Sequence, residues 1–212
     1  MEDSFHEVRQ RTHALLQQRG IPSHPYLPLL DAEGIRPAGE VADKIVALYC
    51  LAGLANEADG GLLLEWLAEE DSLAVLDAGE LKLLEEPELP EDLLNELSWK
   101  QEALYALCWA AGIGEEMPWP DSEVDLSEVF PGIPPEVPIE SFRTSLALRE
   151  RWALIEALDL YYNLHASLSH SELWGGRDPE RVLSTEVVVE RRPALEWLCS
   201  GKLDWDEVSL DT

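Results

Sequence analysis

The chain has 212 residues, ordinary apolar content with eight tryptophans, and a formal net charge of −28. It is long enough to bury a core without metal or disulfide staples, and disorder is not the default. A surface this acidic repels nucleic-acid phosphates and anionic membranes and attracts basic proteins, although solubility alone accounts for it equally well.

The charge is uneven. Residues 57–140 hold 23 acids and two bases, against seven and five in residues 1–56 and 13 and eight in residues 141–212. The three cysteines, Cys50, Cys108 and Cys199, lie far apart in apolar helical patterns, so they read as buried thiols in a reducing compartment. The opening MEDSFHEVRQ has no apolar core of the signal-peptide kind, and charges interrupt every apolar run before the roughly 18 residues of a membrane span. A cytoplasmic protein is expected.

Ser4-Phe5-His6-Glu7 has the form of a capping box and predicts a helix from Phe5 to Arg19, ended by Gly20. Pro22, Pro25, Pro28 and Pro37 make residues 21–37 a connection without regular structure. Val41, Ile45, Leu48, Tyr49 and Ala52 recur at three and four, predicting a core helix over Ala38–Ala55. Short helices follow at Leu62–Ala68 and within Leu73–Leu84, and Pro90 opens a long one that Gly112 closes. Six prolines between Met117 and Pro138 exclude a continuous helix there and leave one helical turn near Asp125–Val129.

Ser141 is read as the cap of a helix pair that reaches His170, with a break near Leu148. Residues 182–190 are ambiguous. The run Val187-Val188-Val189 suits a strand, but a lone strand has nothing to pair with, so a helix capped by Thr185 and running through Leu198 is favoured despite Pro193. The expected fold is all-α, a single-domain irregular helical bundle with long Pro-rich connections; the alternative is two halves, 1–116 and 139–212, joined by a strap over 117–138.

No metal or cofactor is expected. His6 and His13 lie two turns apart on one helix, about 10 Å, and His165 and His170 point to different faces. There is no glycine-rich phosphate loop after a strand and no Gly-x-Ser-x-Gly elbow.

The remaining candidates form a polar set in an apolar setting: Arg151, Asp159 and His165 on or beside the stripe of the 149–169 helix, then Glu190, Arg191, Asp204 and Asp206. Buried charges persist when paired, so Arg191 is expected against Asp204 or Asp206, and Arg151 or His165 against another acid. Such a set is either an ionic clasp that pins the tail or a hydrolase-like or small-molecule site. In the second case His165 is the candidate acid/base, because small shifts carry an imidazole across neutral pH.

The leading functional expectation is a module that binds a basic protein, with an immunity-type inhibitor of a basic effector as its concrete form. Glu69, Glu70, Asp71, Glu85, Glu86, Glu115 and Glu116 supply the docking face. Pairing of copies through exposed Trp119 or Trp174 is a third reading.

Three runs carry a family likeness: Trp99-x-x-Glu102-Ala103-Leu104-x-x-Leu107-x-Trp109-Ala110-x-Gly112; Leu158-Asp159-x-x-Tyr162-x-x-His165; and Glu190-Arg191-x-x-Ala194-Leu195-x-Trp197-Leu198 with Asp204-Trp205-Asp206-x-Val208-x-x-Asp211-Thr212. With Arg9-x-Arg11-Thr12, Gly20-Ile21 and Leu27-Pro28 near the start, the chain resembles the bacterial domain-of-unknown-function family 4272 over nearly its whole length. Pro193 stands where that family more often has a helix-compatible residue, and Ala166 where an aromatic commonly follows the histidine. The resemblance implies no catalytic role for any residue.

Overall fold

The structure, a computed structural model, describes residues 4–30, 32 and 34–208. Its α-helices are α1 (Phe5–Gln18), α2 (Ala38–Ala55), α3 (Gly60–Glu69), α4 (Ala78–Glu85), α5 (Glu91–Ser98), α6 (Lys100–Ala110), α7 (Ile139–Ser145), α8 (Arg151–Ser169) and α9 (Thr185–Ser200), with short 3₁₀ turns between several of them. Among the described residues there is no strand, and the fold is all-α. No helix among them is long and apolar enough to cross a membrane.

The chain divides into two compact units. One is drawn from Met1–Arg36, Pro118–Glu123 and Arg149–Thr212, and the other from Pro37–Met117 and Val124–Leu148. Both units are thus assembled from segments distant in sequence, and their boundaries differ from the halves 1–116 and 139–212. The Pro-rich stretch 117–138 contributes to both.

In the first unit α8 packs on both α1 and α9. Helix α1 starts at the predicted box: the Ser4 hydroxyl accepts from the Glu7 amide while the Glu7 carboxylate accepts from the Ser4 amide. It ends with Gly20 in the left-handed region, where the Ile21 amide reaches back to the Leu16 carbonyl. From Thr185 onward α9 resolves the ambiguous 182–190 segment in favour of helix. Its cap is Ser184, whose hydroxyl accepts from the Val187 amide, and not Thr185, whose own hydroxyl is drawn to Glu180. Val187 and Val188 are buried, so packing outweighs the β-preference of the run. Pro193 lies inside the helix, which continues through it.

In the second unit α2 is the central element, packed by α3, α4, α5, α6 and α7. Because neighbours surround it, α2 is buried on nearly every face, from Val41 through Leu54. The helix expected to run from Pro90 to Gly112 is instead α5 and α6. At the junction the Ser98 hydroxyl donates to the Asn95 carbonyl, a local bond that competes with the helix ladder. The break lets an amphipathic α5 turn into an α6 buried from Glu102 to Cys108.

The interruption near Leu148 is present, between α7 and α8. Ser141, however, lies inside α7 and does not cap it. The first amide of α7, on Ile139, donates to the Glu70 carboxylate at 3.0 Å, a cap supplied from 69 residues away.

Candidate functional site

The polar residues singled out in the last third all belong to the first unit, but they do not form one cluster. Asp159, buried in α8, is chelated by Arg9 of α1: Nε lies 2.9 Å from Oδ1 and 3.2 Å from Oδ2, and Nη2 lies 2.8 Å from Oδ1. Arg9 also donates from Nη1 to the Leu27 carbonyl (3.0 Å) and from Nη2 to the Pro28 carbonyl (2.9 Å), so this one guanidinium ties α1, α8 and the 21–30 connection together. Helix geometry explains the placement: Val8, Arg9, Thr12 and Leu16 share the buried face of α1.

His165 is half-buried and its Nδ1 accepts a hydrogen bond from Nη1 of Arg192. That contact requires the neutral imidazole with its proton on Nε2. Burial and the adjacent Arg192 cation lower its pKa to about 4. Arg192 also reaches Glu196 one turn on, at 3.2 Å, and lies over the Tyr162 ring at 5.0 Å. Burial pushes the Glu196 carboxyl up, against the pull of Arg192.

Arg191 is fully buried and its Nη1 donates to the Pro118 carbonyl (2.6 Å) and the Tyr161 hydroxyl (2.7 Å). Asp204 and Asp206 are exposed, so the expected buried pairing of Arg191 with them is not formed. At Asp204 it is the backbone amide that is engaged, donating to the Glu207 carboxylate of its own 3₁₀ turn at 3.2 Å. Arg151 is exposed at the start of α8, donating to the Ala32 carbonyl at 3.1 Å, and Glu190 is half-buried on α9. Asp211 and Thr212 of the tail motif lie outside the described residues.

The tail is nevertheless held, by a residue the sequence did not single out. Arg36 donates through Nε to the Trp197 carbonyl at 2.9 Å and through Nη2 to the Leu203 carbonyl, with its guanidinium 4.2 Å from the Trp197 ring. Trp205 then meets Trp197 edge-on, ring centroids 5.5 Å apart. These contacts are to carbonyls and an indole ring, which a search for opposite charges does not find. Arg9 was the more legible omission, since a cation on the Val8–Leu16 stripe signals a buried partner.

None of these polar residues lines any of three open cavities. The largest, about 860 Å³, lies in the second unit over Leu54, Leu64, Leu84, Leu89 and Leu94, with Asp59, Glu85, Glu86 and Glu88 around it. A second, of about 520 Å³, has Tyr49, Leu104 and Phe130 as walls with Asn56, Gln101 and Asp125. The third, of about 400 Å³, belongs to the first unit and is lined by Arg19, Arg177 and Arg181 beside Trp174.

Of the acidic positions, Glu69, Asp71, Glu85, Glu86, Glu115 and Glu116 are exposed. Glu70 is half-buried and spent on the α7 cap. Trp174 is buried, its indole donating to the Ser167 carbonyl at 2.9 Å, and is not the exposed ring that pairing of copies through it needs; Trp119 is half-buried, with Arg19 over its ring at 3.9 Å. Among the described residues no group of three or more His, Cys, Asp or Glu side chains is placed to hold a metal ion.

No curated protein and no solved structure matches the chain. A family model does: that of DUF4272, a domain of unknown function, matches residues 8–208, and with nearly the whole length covered the chain belongs to that family.

Proposed function

We propose that this protein is a binding module for a basic protein, acting in its most concrete form as an immunity-type inhibitor that covers a cationic effector. The observation that carries the reading is the charge of the second unit, 23 acids against four bases. Its bases are largely committed. Lys44 pairs with Glu80 at 2.7 Å, and Arg143 bridges Asp43 and Glu140 at 2.7 and 2.9 Å. Most of the carboxylates therefore face solvent without a cation, which favours fast, salt-sensitive encounter with a basic surface.

The leucine-floored cavity gives that surface a place to seat. Lysine or arginine heads meet Asp59, Glu85, Glu86 and Glu88 while their alkyl stems cover the leucines. The test is capture on the immobilised full chain from the native host. A basic protein retained at low salt, released as salt rises, and lost in Glu85→Lys/Glu86→Lys/Glu88→Lys supports the reading. Absence of such a protein at low salt, or retention indifferent to salt, ends it.

A further inference from the structure

Three of the chain's 15 bases converge in the first unit on the 400 Å³ cavity formed by Arg19, Trp174, Gly176, Arg177, Asp178 and Arg181. In a molecule of net charge −28 the natural fate of an arginine is an ion pair, yet none of these three forms one among the described residues. Two are held in place by groups that carry no net charge. Arg177 donates from Nε to the Trp174 carbonyl at 3.2 Å and from Nη1 to the Gly20 carbonyl at 2.8 Å, and lies 5.3 Å from the Trp174 ring. Arg19 lies 3.9 Å from the Trp119 ring, which is itself anchored by its indole on the Val182 carbonyl. Arg181 is exposed, and its side chain makes no hydrogen bond, ion pair or ring contact among the described residues. The single carboxylate at the rim, Asp178, accepts from the Glu180 amide at 3.1 Å as the cap of a 3₁₀ turn.

Carbonyls and ring faces orient a guanidinium without neutralising it, which is the state an anion site requires before its ligand arrives. Local backbone helps. Gly20, Gly175 and Gly176 all take positive φ, and at Gly175 and Gly176 nothing lies within 4 Å of where a Cβ would sit, so the approach beside Arg177 is open.

We infer that this cavity binds the phosphate group of a small phosphorylated molecule. Three guanidiniums against one carboxylate leave two positive charges, which match a phosphate dianion and leave a monocarboxylate one charge short. The three arginines come from the residue after α1, the glycine turn and the 3₁₀ turn Pro179–Arg181, so charge-assisted donors from more than one chain segment line the cavity, which suits the several acceptor oxygens of a phosphate. A volume of about 400 Å³ falls in the range of small-molecule sites, roughly 300–1,000 Å³. Nucleic acid is not the occupant, since the rest of the surface repels a polyanion.

The test is calorimetric titration of the full chain at low ionic strength with inorganic phosphate, O-phosphoserine and acetate. The expected result is one saturable site for phosphate or phosphoserine, with whichever of the two binds more tightly reporting the free or esterified form. Affinity should fall about tenfold or more in Arg181→Gln and in Arg19→Gln, the scale of losing one charge-assisted contact. It should be unchanged in Arg11→Gln, an exposed arginine that pairs with Glu156 outside the cavity. Arg181→Gln is the decisive variant because no hydrogen bond, ion pair or ring contact among the described residues involves that side chain, and its thermal transition should match the parent's. Absence of binding by both phosphates, acetate binding as tightly, or equal weakening in Arg11→Gln overturns the assignment.

Discussion

His165 of α8 and Arg192 of α9 share a hydrogen bond in which the imidazole Nδ1 is the acceptor, and the same Arg192 pairs with Glu196 one turn further along α9. The contact makes the histidine a neutral partner of a buried cation. Buried Arg192 lends its charge to a ring that cannot itself take one up.

The pH dependence follows from that state. The folded pKa of about 4 lies below the 6.5 of a free imidazole. Above pH 6.5 the ring is neutral in both states and contributes no pH dependence. Between 6.5 and 4 the unfolded chain takes up a proton that the native state refuses, so stability falls as pH falls, by on the order of 2 kcal/mol in all after allowing for partial solvent screening. Urea midpoints across pH 4–7 should show this slope, and His165→Phe should flatten it. An NMR titration that places the His165 midpoint near 6.5 would contradict the neutral acceptor.

Arg9 and Asp159 are 150 residues apart and both nearly excluded from solvent. Asp159→Asn leaves a buried guanidinium short of its counter-charge, and a loss of about 3–5 kcal/mol is expected. Arg9→Met combined with Asp159→Leu should recover most of it, because removing both charges removes the desolvation cost as well. Chemical denaturation of the two variants checks the order; a double variant less stable than Asp159→Asn would refute the argument.

Two backbone positions in the second unit predict opposite signs. Asp71 follows α3 with φ +52, and the amides of Asp71 and Ser72 reach back to the carbonyls of Ala68 and Leu67. Glycine suits that left-handed position better, so Asp71→Gly should stabilise by up to about 1 kcal/mol. At Gly60 a Cβ would sit 2.3 Å from the Leu84 carbonyl oxygen, so Gly60→Ala must push α3 away from the end of α4 and should cost about 2 kcal/mol or more. Thermal or urea transitions read both.

The thiols offer a simple probe of integrity. All three cysteines are buried. Burial pushes Cys50 and Cys199 up to about 12, the latter against the pull of Arg151, and raises Cys108 as well. Protonated and shielded thiols react slowly, so a thiol reagent at pH 7 should modify none in the native protein and three after unfolding. Rapid modification of any one before unfolding would show that its surroundings open in solution.

Local chemistry was legible in the sequence for several elements whose partners are near in the chain, though the Ser98–Asn95 break and the Ser184 cap were not among them. The Ser4–Glu7 box, the bounds of α2 and the all-α class follow from spacing alone, because capping and helical periodicity are short-range effects, while the break before α8 was expected from the length an unbroken helix would have. The functional expectations had only composition to rest on, so the acidic surface was visible while its leucine-floored cavity was not.

Only the tertiary structure decided which charges meet. A sequence contains many candidate acids for each buried arginine, and burial selects among them by helix face and chain path. That selection gave Arg9 rather than Arg151 to Asp159, Glu70 to the start of α7, and carbonyls to Arg191 and Arg36. It also gathered Arg19, Arg177 and Arg181 from opposite ends of the chain around one cavity. Pairings over 150 residues leave no local periodicity, since their energy is realised only when the fold has removed both groups from water.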